Sequence, residues 1–353
     1  MNVLRIYLSL TAWLLTAICS SAQEPLNADS IASLFLEHYA KAPQEKAYVH
    51  TDRDYYAAGD TVWFRAYIVD AASNQLTDRS KFVYIELLDN AADTLIRRIK
   101  IKADTAGVFA NALPLSSRMK SGTYTVAAYT QWMQNFGEEM FFKKRLTVVN
   151  PKDSINPSTK SRTVSKIALD IMPEGGNLIA GHTQRVAFKA MGDDGLGVDV
   201  QARLVNAAGD VIKETASRHL GMGYLLVNAD AGEELWLEAF TANGLSCRTK
   251  LPEALEQGVT MSVNQHKGVV LIQPFATPGI NIENMALALY GAGNLMVIEL
   301  ADATPIRISS QSLKPGVVNI ALIDRESRRV LAERLVFIRD RNIPDIDISA
   351  TAE

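Results

Sequence analysis

The sequence predicts an all-β fold: three immunoglobulin-like β-sandwiches in tandem, preceded by a signal peptide and one short helix. Three observations carry this expectation. From Gln44 onward, brief runs rich in Val, Ile, Thr and Tyr alternate apolar with polar residues and are punctuated by Gly, Asn and Asp, the pattern of half-buried strands joined by tight turns. That pattern also repeats. "FVYIELLDNAADTLIRRIKI" followed by "AGVFANALPLSSRMKSGTYTVAAYT" has the same order of parts as "VQARLVNAAGDVIKETAS" followed by "GMGYLLVNADAGEELWLEAFT". A fainter third copy runs from "MALALYGAGNLMVIEL" to "TPIRISSQSLKPGVVNIALIDRESRRVLAERLVFI". In each, a strand passes through an Asn, Asp or Gly turn to its hairpin partner and a glycine turn delivers a closing strand, within roughly 80 to 110 residues, the size of one sandwich. Finally, 353 residues with 48% hydrophobic and 21% charged side chains suffice for more than one hydrophobic core. A net charge of -3 without long like-charge blocks offers no footprint for nucleic acid or an anionic membrane.

The elements follow in order. Arg5, the apolar run from Ile6 to Ile18 and the small residues Ser20 and Ala22 read as a signal peptide over residues 1–22, with the mature chain starting at Gln23. The run is shorter than a bilayer span, so no membrane span is expected in the mature chain. Ile18 stands where a lipidated Cys19 would need a small neighbour. Residues 23–43 hold one helix: Ile31, Leu34, Phe35 and His38 recur at helical spacing, Asn27 or Asp29 caps the start, and Pro43 stops it. The sandwiches then occupy residues 44–150, 167–250 and 251–340. The polar, Pro-containing segment 151–166 links the first two, and a tail follows at 341–353. With the signal removed, Cys247 is the only thiol left, so no intrachain disulfide holds the protein; its alternation with Leu245 points it inward in a strand.

"YVHTDRDYYAAGDTVWFRAYIVD" clusters a histidine with acids beside an apolar run. Tyr48 and His50 alternate in one strand, residues 52–60 turn the chain with Gly59 at the bend, and Val62, Phe64, Ala66 and Ile68 share the inner face of the next strand, opposite Trp63, Arg65 and Tyr67. Asp52 and Asp54 sit where turn acids accept backbone N–H bonds, and His50 has no second histidine nearby to complete a metal set.

This stretch resembles the opening of the second macroglobulin-type (MG2) domain of the alpha-2-macroglobulin superfamily. Together with "SGTYTVAAYTQWMQNFGEEMFFKK" and "MPEGGNLIAGHTQRVAFKAMGDDGLGVDV", it is similar to the large exported MG2-containing proteins of Bacteroidota, in which such sandwiches often precede a TonB-receptor-plug-like region. The resemblance implies macroglobulin-type sandwiches with a scaffold or docking role, in the periplasm or at the outer membrane. It does not extend to the protease-trapping chemistry, because the one mature cysteine lies in "SCRTK" and not in a thioester motif.

No other motif calls for catalysis or a cofactor. There is no G-x-S-x-G, H-E-x-x-H or Walker loop, and the histidines are scattered at 38, 50, 182, 219 and 266. "GMGYLL" and "GAGNLM" lack the third glycine and the helix of a dinucleotide site. Asp193, Asp194 and Asp199 in "MGDDGLGVD" are candidate calcium ligands, set against a plain turn reading. Trp132 and Phe136 in "AYTQWMQNFGEEMFF" form a candidate partner or glycan surface, set against burial in the first sandwich. In the tail, Ile343, Ile346 and Ile348 would suit an added strand on a partner or a further domain. The expectation is therefore a non-enzymatic exported scaffold that docks on an envelope protein, an outer-membrane receptor or a downstream plug-like region. The alternative is a glycan-binding module of an outer-membrane uptake system.

Overall fold

In the computed structural model, residues 25–104, 108–153, 164–291, 294–339 and 347 are described. The first sandwich is built from β1 (Glu45–Thr51), β2 (Tyr55–Ala57), β3 (Thr61–Asp70), β4 (Phe82–Asp89), β5 (Thr94–Lys102), β6 (Phe109–Pro114), β7 (Gly122–Tyr129) and β8 (Phe142–Val149). A three-stranded sheet, β1-β3-β6, faces a five-stranded one, β2-β8-β7-β4-β5. Alternation along β3 buries Val62, Phe64, Ala66 and Ile68 against Val83, Ile85 and Leu87 of β4, as the period of two requires.

The second sandwich holds β9 (Ile167–Pro173), β10 (Gln184–Gly192), β11 (Gln201–Asn206), β12 (Val211–Ala216), β13 (Met222–Val227), β14 (Leu235–Phe240) and β15 (Ser246–Lys250). The third holds β16 (Val259–His266), β17 (Val269–Ala276), β18 (Met285–Gly291), β19 (Asn294–Glu299), β20 (Ile306–Ser309), β21 (Gly316–Asp324) and β22 (Val330–Ile338). Their sheets are β13-β10-β9 with β12-β11-β14-β15, and β16-β17-β20 with β19-β18-β21-β22. The repeat is thus a topological one. In every copy a three-stranded sheet packs on a sheet whose central pair joins the hairpin to the closing strands, and each copy has its own apolar cluster.

Two local readings need correction. Residues 52–60 do not form a simple turn, because Tyr55–Ala57 lies parallel to β8 as the edge strand β2 and plugs the Tyr56 ring into the core. Cys247 points inward from β15 but is only half-buried, at the margin of the second core, and burial raises its thiol pKa.

The helix α1 (Ala28–Lys41) starts at Asn27, whose side chain accepts the Ser30 N–H at 2.7 Å. It leads directly into β1 of the first sandwich, yet its apolar stripe lies on the third. Ile31 and Phe35 seat on Ala286, Ala288, Ala321 and Ile323, a floor of small residues that lets a helix approach a sheet closely, and Phe35 meets Tyr290 at 5.0 Å between ring centroids. Leu26 N–H bonds Arg325 O at 2.9 Å, and Ala28 N–H bonds the Glu299 carboxylate at 2.6 Å. Leu34, expected in the stripe, is exposed, because contact is made through Ile31 and Phe35 alone. At its other end α1 is tied to the first sandwich by Tyr39 O–H donating to Asp70, so one helix joins the first and third units.

The second and third sandwiches meet through polar groups taken out of water. The side chain of Glu174, 6% exposed, faces Arg185 at 3.4 Å and Arg334 at 3.3 Å and accepts the Val263 N–H at 3.2 Å. Gln184 donates to Asn177 O at 2.8 Å and to the Thr260 hydroxyl at 3.2 Å, and Thr260 donates to Glu174 O at 2.9 Å. Gly175, at φ +84°, makes this possible: a Cβ there would meet Thr260 Oγ1 at 2.4 Å. The His182 ring stacks on Phe275 at 3.7 Å across the same junction. Most of the linker, residues 154–163, lies outside the described residues, as do the signal peptide and the tail isoleucines Ile343, Ile346 and Ile348.

Candidate functional site

The acids of the opening stretch serve the fold. Asp52 accepts the Tyr56 O–H at 2.7 Å and the Trp63 N–H at 2.9 Å and pairs with Arg53 at 3.1 Å. Burial would raise the Asp52 carboxyl, but the bonds from Tyr56, Arg53 and Trp63 outweigh it and hold it below its ordinary value. Burial, reinforced by Asp52, pushes the Tyr56 phenol up to about 12. Asp54 pairs with Lys144 at 2.7 Å. Asp70 is similar: burial opposes its charge, yet hydrogen bonds from Tyr39, Arg79 and Ser73 keep its carboxyl well below the usual carboxylate range.

The three aspartates considered for calcium act separately. Asp193 accepts the Ser165 backbone N–H and hydroxyl and so pins the end of the linker. Asp194 accepts the Leu196 N–H at 3.0 Å within the turn, and Asp199 accepts from Ser217 at 3.4 Å. Among the described residues no group of three His, Cys, Asp or Glu side chains is placed to hold a metal ion.

Trp132 and Phe136 do come together, ring against ring edge-on at 5.6 Å. However, Trp132 is only 37% exposed, and its indole N–H donates to Pro43 O at 2.6 Å, which fastens the end of α1 to the first sandwich. Their neighbour Phe141 stacks on Tyr129 at 4.2 Å. The cluster is mainly a fastening.

Two open surfaces were not singled out by the sequence. One is the outer face of the β1-β3-β6 sheet, where a groove of about 480 Å³ is lined by His50, Trp63, Arg65, Tyr67, Ala110 and Asn111, together with Asp52. Cross-strand pairing sets Tyr48 opposite Tyr67, His50 opposite Arg65, and Trp63 and Arg65 opposite the small residues Ala112 and Ala110. The alternation that buries Phe64 must present Trp63, which is 62% exposed. The other lies on the outer face of β21 and β22, beside the part covered by α1, where Val317 pairs with Phe337 and Leu335 lies two residues along. All three side chains are more than half exposed.

Residues 46–143, which span most of the first sandwich, match the family model of the MG2 domain. Comparison with curated proteins gives no match. Among solved structures, trypsin-activated alpha-2-macroglobulin from Escherichia coli is 11% identical, with 87% of this chain and 24% of that chain covered at a TM-score of 0.25. The BSP domain of a biofilm-associated protein is 10% identical, with 89% and 70% covered and a TM-score of 0.28. The adhesin InvE of Yersinia pseudotuberculosis is 11% identical, with 65% and 67% covered and a TM-score of 0.21. The chain thus spans about a quarter of the macroglobulin chain it aligns with.

Proposed function

We propose that this chain, whose first sandwich matches the MG2 domain model, is a non-enzymatic, exported scaffold of the cell envelope that docks on another protein through its third sandwich. The observation that carries the reading is the apolar face of Val317, Leu335 and Phe337. The sheet that bears it has an outer face built to be covered: α1 occupies one half, with Ile31 and Phe35 on the alanine floor, while the other half carries three large apolar side chains and stands open. Contiguous apolar side chains on an exposed face mark interaction surfaces. β22 is also an edge strand of its sheet; its edge is bridged by Gly175 at Glu333, and beyond that point, beside Leu335 and Phe337, a partner can add a strand, with the tail isoleucines Ile343, Ile346 and Ile348 extending the apolar contact. The sequence features that support export are Arg5, the apolar run to Ile18 and the small residues Ser20 and Ala22.

The test is affinity capture from a Gram-negative envelope extract by the mature chain and by a variant carrying Leu335→Glu and Phe337→Glu. A protein partner recovered by the first and lost by the second is the expected result. Equal recovery by both removes the third sandwich as the docking surface.

A further inference from the structure

The groove on the first sandwich is a second site, of different chemistry. Each described tryptophan has a ring whose surroundings can be compared. Trp132 has Phe136 at its edge and its N–H bonded to Pro43 O, and Trp236 lies under Arg248 at 4.6 Å and Lys250 at 5.9 Å. The exposed aromatics of the second sandwich are covered too, Tyr224 by Arg185 at 5.3 Å and Arg218 at 4.8 Å, and Phe240 by Arg203 at 4.8 Å. Among the described residues Trp63 has no such cover: no ring or cation lies over it, its indole N–H has no acceptor, and its cross-strand neighbour Ala112 is too small to reach across it.

The charges around it are equally uneven. Asp52, at one end of the groove, is balanced by Arg53 and spends its oxygens on Tyr56, Trp63 N–H and Arg53. Arg65 leans on the Tyr67 ring at 5.5 Å but pairs with no carboxylate among the described residues, and directly opposite it stands His50, another nitrogen donor. An open indole face beside an uncompensated guanidinium, roughly 6.8 Å further along the same strand face, defines a ligand with an apolar flat side and a carboxylate at its rim.

The geometry points to a carboxylate-bearing sugar, a hexuronate unit of an acidic glycan, as the ligand of this groove. The axial C–H bonds of a pyranose carry partial positive charge and lie well on the negative face of an indole ring. The uronate carboxylate takes two parallel N–H bonds from Arg65, a geometry that only a guanidinium offers. The ring hydroxyls find His50 and the Asn111 side-chain amide as donors.

The experiment is a calorimetric titration of the mature chain with trigalacturonate, with neutral galactotriose and hexaglutamate as parallel arms. Saturable binding of trigalacturonate at least tenfold tighter than that of either comparison ligand is expected. Trp63→Ala should weaken it by tenfold or more. Arg65→Gln should bring trigalacturonate down to the level of galactotriose while leaving galactotriose unchanged. Both side chains point to solvent, so both variants should keep the parent's circular dichroism and melting temperature, and Trp132→Ala should bind as the parent does. Absence of saturable binding, parent-like affinity in both variants, or a preference for hexaglutamate would each overturn the assignment.

Discussion

The two contacts made by the third sandwich are built on opposite principles. Its contact with the second sandwich is polar and buried: Glu174, Gln184 and Thr260 exchange hydrogen bonds around Gly175, where no side chain could be admitted. Its tie to the first sandwich runs through α1 and is centred on an apolar seat, Ile31 and Phe35 on a floor of alanines, with polar bonds from Leu26 and Ala28 only at its edge. A polar junction fixes one geometry, because every displaced donor is left without a partner in a dry place. An apolar seat is tolerant in direction but depends on area, so it is released by removing a few methyl groups. The expectation is a rigid joint and a detachable one on the same unit.

The largest expected effect breaks the detachable joint. Ile31→Ala removes a side chain that is 2% exposed and should cost about 3 kcal/mol of the docking of α1, typical of a buried large-to-small change. Hydrogen exchange should then show α1 and the outer face of β18 losing protection while the amides near Glu174 keep theirs. If both regions loosen together, the two joints are one cooperative unit and the contrast fails.

Glu174→Gln tests the other side. It keeps the shape but takes the charge from between Arg185 and Arg334, and about 2 kcal/mol should be lost, less than for a fully enclosed pair because both arginines are partly solvated. Chemical unfolding should show a shifted transition for the second and third sandwiches. An unchanged midpoint would mean that the network orders the joint without stabilising it.

The smallest effect is a pH dependence. Burial lowers the His182 pKa, so the folded protein favours the neutral ring against Phe275. The sign follows from linkage: the unfolded chain binds a proton first, so this contribution is complete above about pH 6.5 and declines as pH falls from there toward the lowered value. His182→Phe keeps an aromatic stack and should flatten the fall in melting temperature between pH 7 and 5. Asp70 contributes in a separate window, because its depressed carboxyl adds stability above about pH 3.9 that is lost only in stronger acid. A variant that loses stability as steeply as the parent between pH 7 and 5 would take His182 out of the joint.

The sequence made the strands and their faces legible because a period of two admits one inner face: Val62, Phe64, Ala66 and Ile68 had to be the buried set once Trp63, Arg65 and Tyr67 were the other. It made α1 legible as a helix, since Asn27 and the spacing of Ile31 and Phe35 are local signals. It could not say what α1 lies on, because a stripe names a buried face and not its cover. The polar joint was hidden for a related reason. Glu174 reads as a surface residue until Arg185 and Arg334 are brought to it from different sandwiches. Trp132 and Phe136 drew notice by composition, whereas Trp63 was set aside as the outward residue of a strand. What separates them is where each indole N–H goes, which is a matter of tertiary contact.

The seat of α1 also sets an order of events. Leu26 bonds to Arg325, a partner 299 residues later in the chain, so this segment waits for one made long after it. Until β21 and the turn after it exist there is no complete alanine floor to receive Ile31 and Phe35, and the intervening sandwiches can fold while the helix is still unplaced. Because loop-closure entropy grows only with the logarithm of length, the delay adds about 1 kcal/mol over a closure one-third as long. Seating the helix on the whole floor therefore cannot precede the arrival of β21. A chain ending just before β21 would hold twenty of the twenty-two described strands yet only Ala286 and Ala288 of the floor, without Ala321, Ile323 and Arg325 to complete the seat of α1.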